Sequence, residues 1–211
     1  MNVPAKLNNE YRNRYLDDIA PATNAGRIIK FTKEGSFVTA DDGTPISDED
    51  TYVALCDETQ ISWIKFKGIG EAPDRVSGLL YDGFVLPSRE SLGDLDHAQW
   101  EQGLDGKPAD PWQHQIAIVL QKCESGELFT FTTSSNTGRR AVGNLLRIYD
   151  RLRGRDELPL VKLKVSGFEH RDKRVGWVKV PAFMVVGRAP RISAPRSIPA
   201  TGDLLGDVIP L

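Results

Sequence analysis

The chain has 211 residues, of which 40% are hydrophobic and 27% charged, as in soluble globular proteins with room for one sizeable core. The formal net charge is −2, so any affinity for nucleic acid must come from local clusters of charge rather than from the total. No apolar run approaches the roughly 20 residues that cross a bilayer, and the first residues lack a hydrophobic signal core.

Residues 1–25 are polar and are broken by two prolines, so we expect a flexible N-terminal segment there. The chain then turns to β-branched and aromatic residues over 27–32 and 36–39, on either side of Gly35. Two such runs around a glycine predict an N-terminal β-hairpin.

Residues 51–56 and 61–67 predict two further strands, and the second has the best local strand pattern of the chain. Alternate side chains of a strand point to opposite faces, so Trp63, Lys65 and Lys67 share one side. Glycines end this run.

A long connection over 68–113 contains four prolines and several glycines. A connection of this length inside a compact domain is usually functional, or it carries short elements of its own. We expect small strands over 76–80 and 83–86 and a helical turn over 97–100, within an otherwise irregular insertion.

Residues 115–122 and 128–133 predict a second hairpin, because both runs are β-branched and aromatic and surround a Glu-Ser-Gly turn. One long helix follows over about 138–153, capped at Asn136 and ended by Gly154. Its apolar residues recur with helical spacing and predict a core-facing stripe of Ala141, Leu145, Ile148, Tyr149 and Leu152.

The last predicted strands cover 158–165 and 177–186 and are joined by a basic turn over 168–176. Pro181 cannot donate a backbone hydrogen bond, so we expect the second of these strands to be bent or to lie at a sheet edge. Residues 188–211 are rich in Pro, Ser, Ala and Arg and predict a disordered tail with an acidic and apolar tip.

From residue 61 the predicted order is strand, long loop, strand, strand, helix, strand, strand. An OB-fold has this order, and this small barrel holds oligonucleotides or oligosaccharides on a strand face and two loops. The sequence therefore predicts a mainly β fold with one packed helix (α+β), an OB-fold-like barrel over 26–187 with an N-terminal hairpin extension. Another small α+β barrel, a sandwich with one helix, or a separate subdomain over 68–113 fits the same order.

Charges are segregated along the chain although their sum is small. Acidic residues cluster over 41–50 and over 90–110, whereas basic residues concentrate over 139–155 and 162–179. Such segregation can give a chain of low net charge a surface that attracts anions, although plain solvated faces are the alternative for each cluster.

Binding of single-stranded nucleic acid needs cations along a groove and exposed aromatic faces on which bases stack. The segment 168–177 has that form, since it is a turn dense in cations with an aromatic residue at each end. Two arginines at the start of the helix add an anion site, because backbone N–H groups are open there. The predicted interface comprises Trp63, Lys65, Lys67, Phe129, Phe131, Arg139, Arg140, Lys164, Phe168, Arg171, Lys173, Arg174 and Trp177. Burial in the core is the alternative for the two phenylalanines at 129 and 131.

Metal-dependent phosphodiester chemistry is a competing hypothesis. Two carboxylates and an imidazole fall within four residues and could share a divalent cation with a more distant acid or histidine. The residues concerned are Asp94, Asp96, His97, Asp105, Asp110 and His114. The pattern is weak because the chain has only three histidines, and it contains no nucleophile elbow, Rossmann fingerprint or P-loop. We therefore predict no catalytic residue, no metal and no cofactor.

The segment from Gly202 to Leu211 ends in Asp-Val-Ile-Pro-Leu. It resembles the tip of bacterial single-stranded-DNA-binding proteins, in which acids precede Ile-Pro-Phe and the tip docks on replication and repair partners. The resemblance implies a partner-binding tail of Asp203, Asp207, Val208, Ile209, Pro210 and Leu211. The chain departs from the pattern in its basic linker, in having two tip acids, and in a final Leu instead of Phe.

The centre of the chain carries a second resemblance. Asp-Pro-Trp-Gln at 110–113, and the run 126–135 that leads into the helix, are similar to uncharacterised proteins encoded by prophages of alphaproteobacteria. The similarity covers about residues 50–187. It implies a phage origin and a role in replication, recombination or the virion, and it implies no activity.

Together these observations predict a non-catalytic single-stranded-DNA-binding protein, phage-encoded, that acts in replication or recombination and docks on a replication or repair protein through its tail. We expect a homo-oligomer in the cytoplasm (the host cytoplasm if phage-encoded), without a membrane partner. Cys56 and Cys123 lack metal or redox spacing, fit a reducing compartment and are predicted to be buried. The alternatives are a phage structural or host-interaction protein that binds another protein, and a metal-dependent nuclease.

Overall fold

The computed structural model describes residues 26–67, 71–103, 106–174 and 176–190. Within these ranges the strands are β1 Arg27–Phe31, β2 Phe37–Thr39, β3 Thr51–Lys65, β4 Asp74–Leu79, β5 Trp112–Lys122, β6 Leu128–Thr133, β7 Glu157–Glu169 and β8 Trp177–Pro190. The long helix α1 covers Asn136–Leu152, and short 3-10 helices cover Leu80–Asp82, Arg89–Leu92, His97–Gln99 and Arg153–Arg155. The predicted flexible segment 1–25 lies outside the described residues.

The strands form one curled sheet. Its order is β2-β1-β6-β5-β3-β7-β8, with β4 added beside β3. Neighbouring strands are antiparallel except β1 and β6, which are parallel. The sheet curls into a half-barrel, so that the ring centroids of Phe183 on β8 and Phe131 on β6 lie 5.4 Å apart. Within the described ranges, the prediction of a mainly β, barrel-like α+β fold with one long helix is confirmed at this level.

Strand β3 pairs with three other strands of the curled sheet. It pairs with β5 along both halves, with β7 through residues 51–53 and with β4 through residues 60–65. Its register against β5 shifts between Leu55 and Gln60, which marks a β-bulge. Bulges bend a strand and increase its twist. The two strands predicted at 51–56 and 61–67 are therefore two halves of one bent strand.

Helix α1 packs against β7 and β8 and begins after Ser135, whose Oγ accepts a hydrogen bond from the backbone N–H of Gly138 at 3.0 Å. The predicted stripe needs a correction, since Ile148 is 37% exposed. The buried residues are Gly138, Val142, Leu145, Leu146, Tyr149 and Leu152. Apolar residues flank the stripe on both sides, so periodicity alone cannot tell which flank faces the sheet. The left-handed residue after the helix is Asp156, instead of the predicted Gly154.

The β7–β8 hairpin is longer than the sequence predicts. Strand β8 is continuous from Trp177 to Pro190, and its last residues pair with the start of β7. Strand β8 thus includes residues 188–190, which the sequence analysis assigns to the tail. Among the described strands β8 has a neighbour on one side only, which confirms the edge position expected for Pro181.

The connection between β3 and β5 is more regular than predicted. It carries β4 and three 3-10 helices, and the helical turn expected at 97–100 is present. Residues 83–86 form no strand, in contrast to the prediction. Strand β4 pairs antiparallel with the second half of β3.

One hydrophobic core lies between the curled sheet and α1. Cys56 belongs to it, as predicted, whereas Cys123 is exposed because it lies in the β5–β6 turn. Among the described helices, none is long and apolar enough to cross a membrane.

Candidate nucleic-acid interface

Phe129 and Phe131 were predicted as stacking platforms, and their position requires a correction. They are 5% and 0% exposed. The Phe131 ring contacts Phe37 and Phe183 with centroids 5.7 and 5.4 Å away, and Phe129 meets Tyr52 edge-on at 5.9 Å. A base cannot reach either ring, so both belong to the core.

Trp63 lies at the edge of the core and is half-buried. Its indole Nε1 donates a hydrogen bond to the carbonyl oxygen of Pro87 at 2.9 Å, and its ring centroid is 5.3 Å from that of His114. The two lysines on its strand face are not free cations, because Lys65 pairs with Asp94 at 2.8 Å and Lys67 with Asp74 at 2.6 Å. This part of the predicted interface is neutralised by carboxylates of the connection.

Acidic residues hold the β3–β5 connection together. One Asp94 oxygen accepts hydrogen bonds from Lys65 Nζ at 2.8 Å and from Trp112 Nε1 at 2.9 Å. Arg89 donates from two nitrogens to Asp110 at 2.7 Å, and it also binds the carbonyl oxygen of Gly93 at 2.6 Å. The carboxylates of Asp94 and Asp110 therefore stabilise the conformation of this connection through hydrogen bonds within the protein.

The remaining residues of the metal hypothesis are also engaged elsewhere. Asp96 caps a 3-10 helix by accepting from the backbone N–H of Ala98 at 3.0 Å, and His97 stacks on Trp100 with centroids 4.0 Å apart. Asp105 lies outside the described residues. Within the part of the chain that the structure describes, no group of three or more His, Cys, Asp or Glu could hold a metal ion. The geometry thus gives the nuclease hypothesis no support.

Two consecutive arginines in the first turns of α1 lie beside aromatic residues from distant parts of the sequence. Arg139 binds His114 Nδ1 and Asn136 Oδ1, which fixes its guanidinium beside the Trp63–His114 pair. The next residue, Arg140, is exposed and lines a cavity with Phe168. Arg139 therefore lies near the end of β3, and Arg140 lies near the β7–β8 hairpin.

His114 is held neutral by its surroundings. Burial first, and the charge of Arg139 second, lower the pKa of His114 below its usual value. Since Arg139 donates to Nδ1, the imidazole proton belongs on Nε2. His114 Nε2 and Arg139 Nε are buried and make no hydrogen bond within the described residues.

A consequence of the lowered pKa is that stability will fall as the pH drops below about 6.5, the ordinary histidine value. In that range the unfolded chain binds a proton at His114 that the folded chain does not, so folding becomes less favourable. The variant His114→Asn keeps an acceptor for Arg139 but does not titrate. Thermal melts at pH 5.5 and 7.5 should show a smaller pH difference for this variant than for the wild type, and His170→Asn serves as the control. An unchanged pH difference in His114→Asn would contradict the assignment.

The β7–β8 hairpin exposes two aromatic rings. Phe168 is 43% and Trp177 66% exposed. Phe168 pairs with Val178 and Glu169 with Trp177, so the two rings lie on opposite faces of the hairpin. The indole of Trp177 rests on the backbone of Gly167, where a Cβ would come within 2.3 Å of Nε1. Glycine at this position lets the ring lie against the strand with its outer face open.

The cations of the hairpin are partly free. Arg174 pairs with Asp172 at 2.6 Å, and Lys164 on β7 pairs with Asp48 at 2.9 Å. The acidic loop before β3 thus covers part of the basic stretch. Arg171 and Lys173 are exposed and make no ion pair within the described ranges. Of the predicted cations, these two and Arg140 remain open to an anionic partner.

A cavity of about 260 Å³ lies between the N-terminal half of α1 and the hairpin. Its walls include Arg140, Asn144, Ser166, Phe168, Pro181 and Phe183. Asn144 and Ser166 are not among the site residues that the sequence predicts. No local signal could have identified them, because they meet only when the helix packs against β7 and β8.

A scan against models of protein families, a search of curated proteins and a search of solved structures each find no match to this chain.

Proposed function

We propose that this protein binds single-stranded nucleic acid, DNA above all, without catalysing a reaction on it. The path of the strand runs over the start of α1 and along the β7–β8 hairpin. The observation that carries this proposal is that the β7–β8 hairpin carries two exposed rings, Phe168 and Trp177, and two exposed cations without an ion pair in the described ranges. These cations are Arg171 and Lys173, and exposed Arg140 lines a cavity together with Phe168. Stacking platforms beside free cations are what a sequence-tolerant single-strand site needs.

An OB-fold-like barrel is part of the proposal. If β4 is left aside, β3, β5, β6, α1, β7 and β8 follow the OB order along the chain. The loop between the last two strands of an OB-fold contributes to binding, and here it is the segment that joins β7 to β8. The β1–β2 hairpin, which pairs with β6, is an addition to that pattern.

Further parts of the proposal concern the biological setting. A phage-encoded protein of replication or recombination that acts in the host cytoplasm as a homo-oligomer fits the two sequence resemblances. The partner-docking residues Asp203, Asp207, Val208, Ile209, Pro210 and Leu211 lie outside the described residues and stay a prediction.

A protein-binding role is the second candidate, and the free edge of β8 favours it. Met184 and Val186 on this strand are each 46% exposed, and no described strand lies beyond them. Unpaired strand edges are templates for pairing with another chain. This edge would suit a phage structural or host-interaction protein, or a second copy of the chain.

Titration of tryptophan fluorescence with a single-stranded oligonucleotide at several salt concentrations tests the proposal, with duplex DNA as the comparison. We expect saturable quenching that prefers single strands. The slope of log K against log salt should be roughly −2, because three free cations contribute about −0.7 each on a single strand. Absence of binding at every salt concentration would contradict the proposal and favour the protein-binding role.

A further inference from the structure

We propose that the cavity between α1 and the β7–β8 hairpin receives one nucleobase of the bound strand, and that it prefers a base with two carbonyl oxygens, thymine or uracil. This inference rests on the proposed function and adds a base preference to it.

The size and walls of the cavity suit a single ring system. Its volume is about 260 Å³, below the range of about 300–1,000 Å³ in which drug-sized ligands bind. Phe168, Pro181 and Phe183 provide apolar walls, and the half-exposed Phe168 ring offers a face for stacking. A flat base with a small apolar substituent, such as the thymine methyl group, fits such walls.

The polar groups of the cavity are mainly donors. The Oδ1 atom of Asn144 accepts a hydrogen bond from Arg147 Nη1 at 2.6 Å, which leaves the Nδ2 hydrogens of the amide to donate. Arg140 adds guanidinium donors, and the Ser166 hydroxyl can serve either role. The described residues that line the cavity include no carboxylate.

A donor-rich cavity discriminates between bases by their edges. Thymine and uracil carry a carbonyl oxygen at C4, an acceptor, where cytosine carries an amino group that donates, and adenine carries an amino group at C6. An amino group facing Asn144 Nδ2 would place two donors opposite each other, so that the hydrogen bond available to a carbonyl oxygen is lost. Cytosine is the closest competitor in size, so the contrast between thymine and cytosine isolates this effect.

The test compares the affinities of oligo(dT), oligo(dC), oligo(dA) and oligo(dU), with oligo(U) to separate DNA from RNA. We expect the wild type to prefer oligo(dT) or oligo(dU) over oligo(dC) by roughly fivefold, the lower end for one matched base contact. Asn144→Ala should bring this ratio close to one, and it should fold because alanine favours helices. Asn144→Asp replaces the donor by an acceptor and should favour oligo(dC). Gln121→Ala is the matched control, since its side-chain amide donates to the Gly126 carbonyl oxygen in the remote β5–β6 turn.

The outcomes separate this inference from the proposed function. Equal affinity of the wild type for all homopolymers, or a ratio that Asn144→Ala leaves unchanged, would overturn the base cavity while single-strand binding stands. Failure of every oligonucleotide to bind would overturn both, and the cavity would then suit a side chain of a protein partner. A ratio altered equally by Gln121→Ala would also count against the cavity.

Discussion

Replacing Phe131 by alanine will lower the free energy of unfolding by about 3–5 kcal/mol, the usual cost of removing a buried phenylalanine ring. The ring is fully buried between Phe37 and Phe183, so it joins β6 to β2 and to β8 across the curled sheet. Its loss leaves a cavity where the two sides of the half-barrel meet. Chemical denaturation followed by circular dichroism measures the change.

The matched variant for this experiment is Phe168→Ala, in which the same side chain is removed from the exposed hairpin. We expect a cost of less than about 1 kcal/mol there, because a surface substitution leaves little cavity. Similar costs for the two variants would contradict the assignment of Phe131 to the core. Where Phe131→Ala remains folded, its affinity for a single strand should equal that of the wild type.

Trp177→Ala will weaken binding of single-stranded DNA by about 5- to 150-fold, because one base stacked on an aromatic ring contributes about 1–3 kcal/mol. The indole is 66% exposed, so the variant should keep its thermal stability. Fluorescence anisotropy of a labelled oligonucleotide at fixed salt measures the affinity without relying on the tryptophan signal.

Three variants sharpen this prediction. Trp177→Phe keeps a ring and should retain part of the affinity. Gly167→Ala should weaken binding while the ring is still present, because its Cβ would displace the indole and crowd the carbonyl oxygen of Val178, 2.8 Å away. Met184→Ala removes an exposed apolar side chain from the same strand away from the turn and should have no effect. Equal affinities for Trp177→Ala and Trp177→Phe would show that the ring is not a stacking platform.

The elements with strong local patterns were predictable from the sequence. Alternation along β3, the β5–β6 hairpin with its Glu-Ser-Gly turn, and the long helix each follow from side chains close together in the chain. Bends and lengths were less predictable. The bulge between Leu55 and Gln60 that makes β3 one strand depends on its pairing with β5, and β8 passes through Pro181 because this proline lies at a free edge.

The candidate interface was predictable only in part, because exposure and charge pairing are properties of the folded chain. The rings of Phe129 and Phe131 share a face by period 2, but the same pattern describes a buried face and an open one. Exposed Phe168 and Trp177 have the same local pattern of aromatic residues on strands, and the hairpin position distinguishes them.

The sequence alone determined the type and order of most strands, the presence of one helix and the clustering of charges, because turns, periodicity and composition are local properties. The tertiary structure decided which cations are free, since Lys65 meets its carboxylate 29 residues away and Lys164 meets its own 116 residues away. It also decided that Asn144 of the helix faces the same cavity as Phe168 of the hairpin. Contacts between distant segments depend on how the sheet curls, and no local pattern encodes that curl.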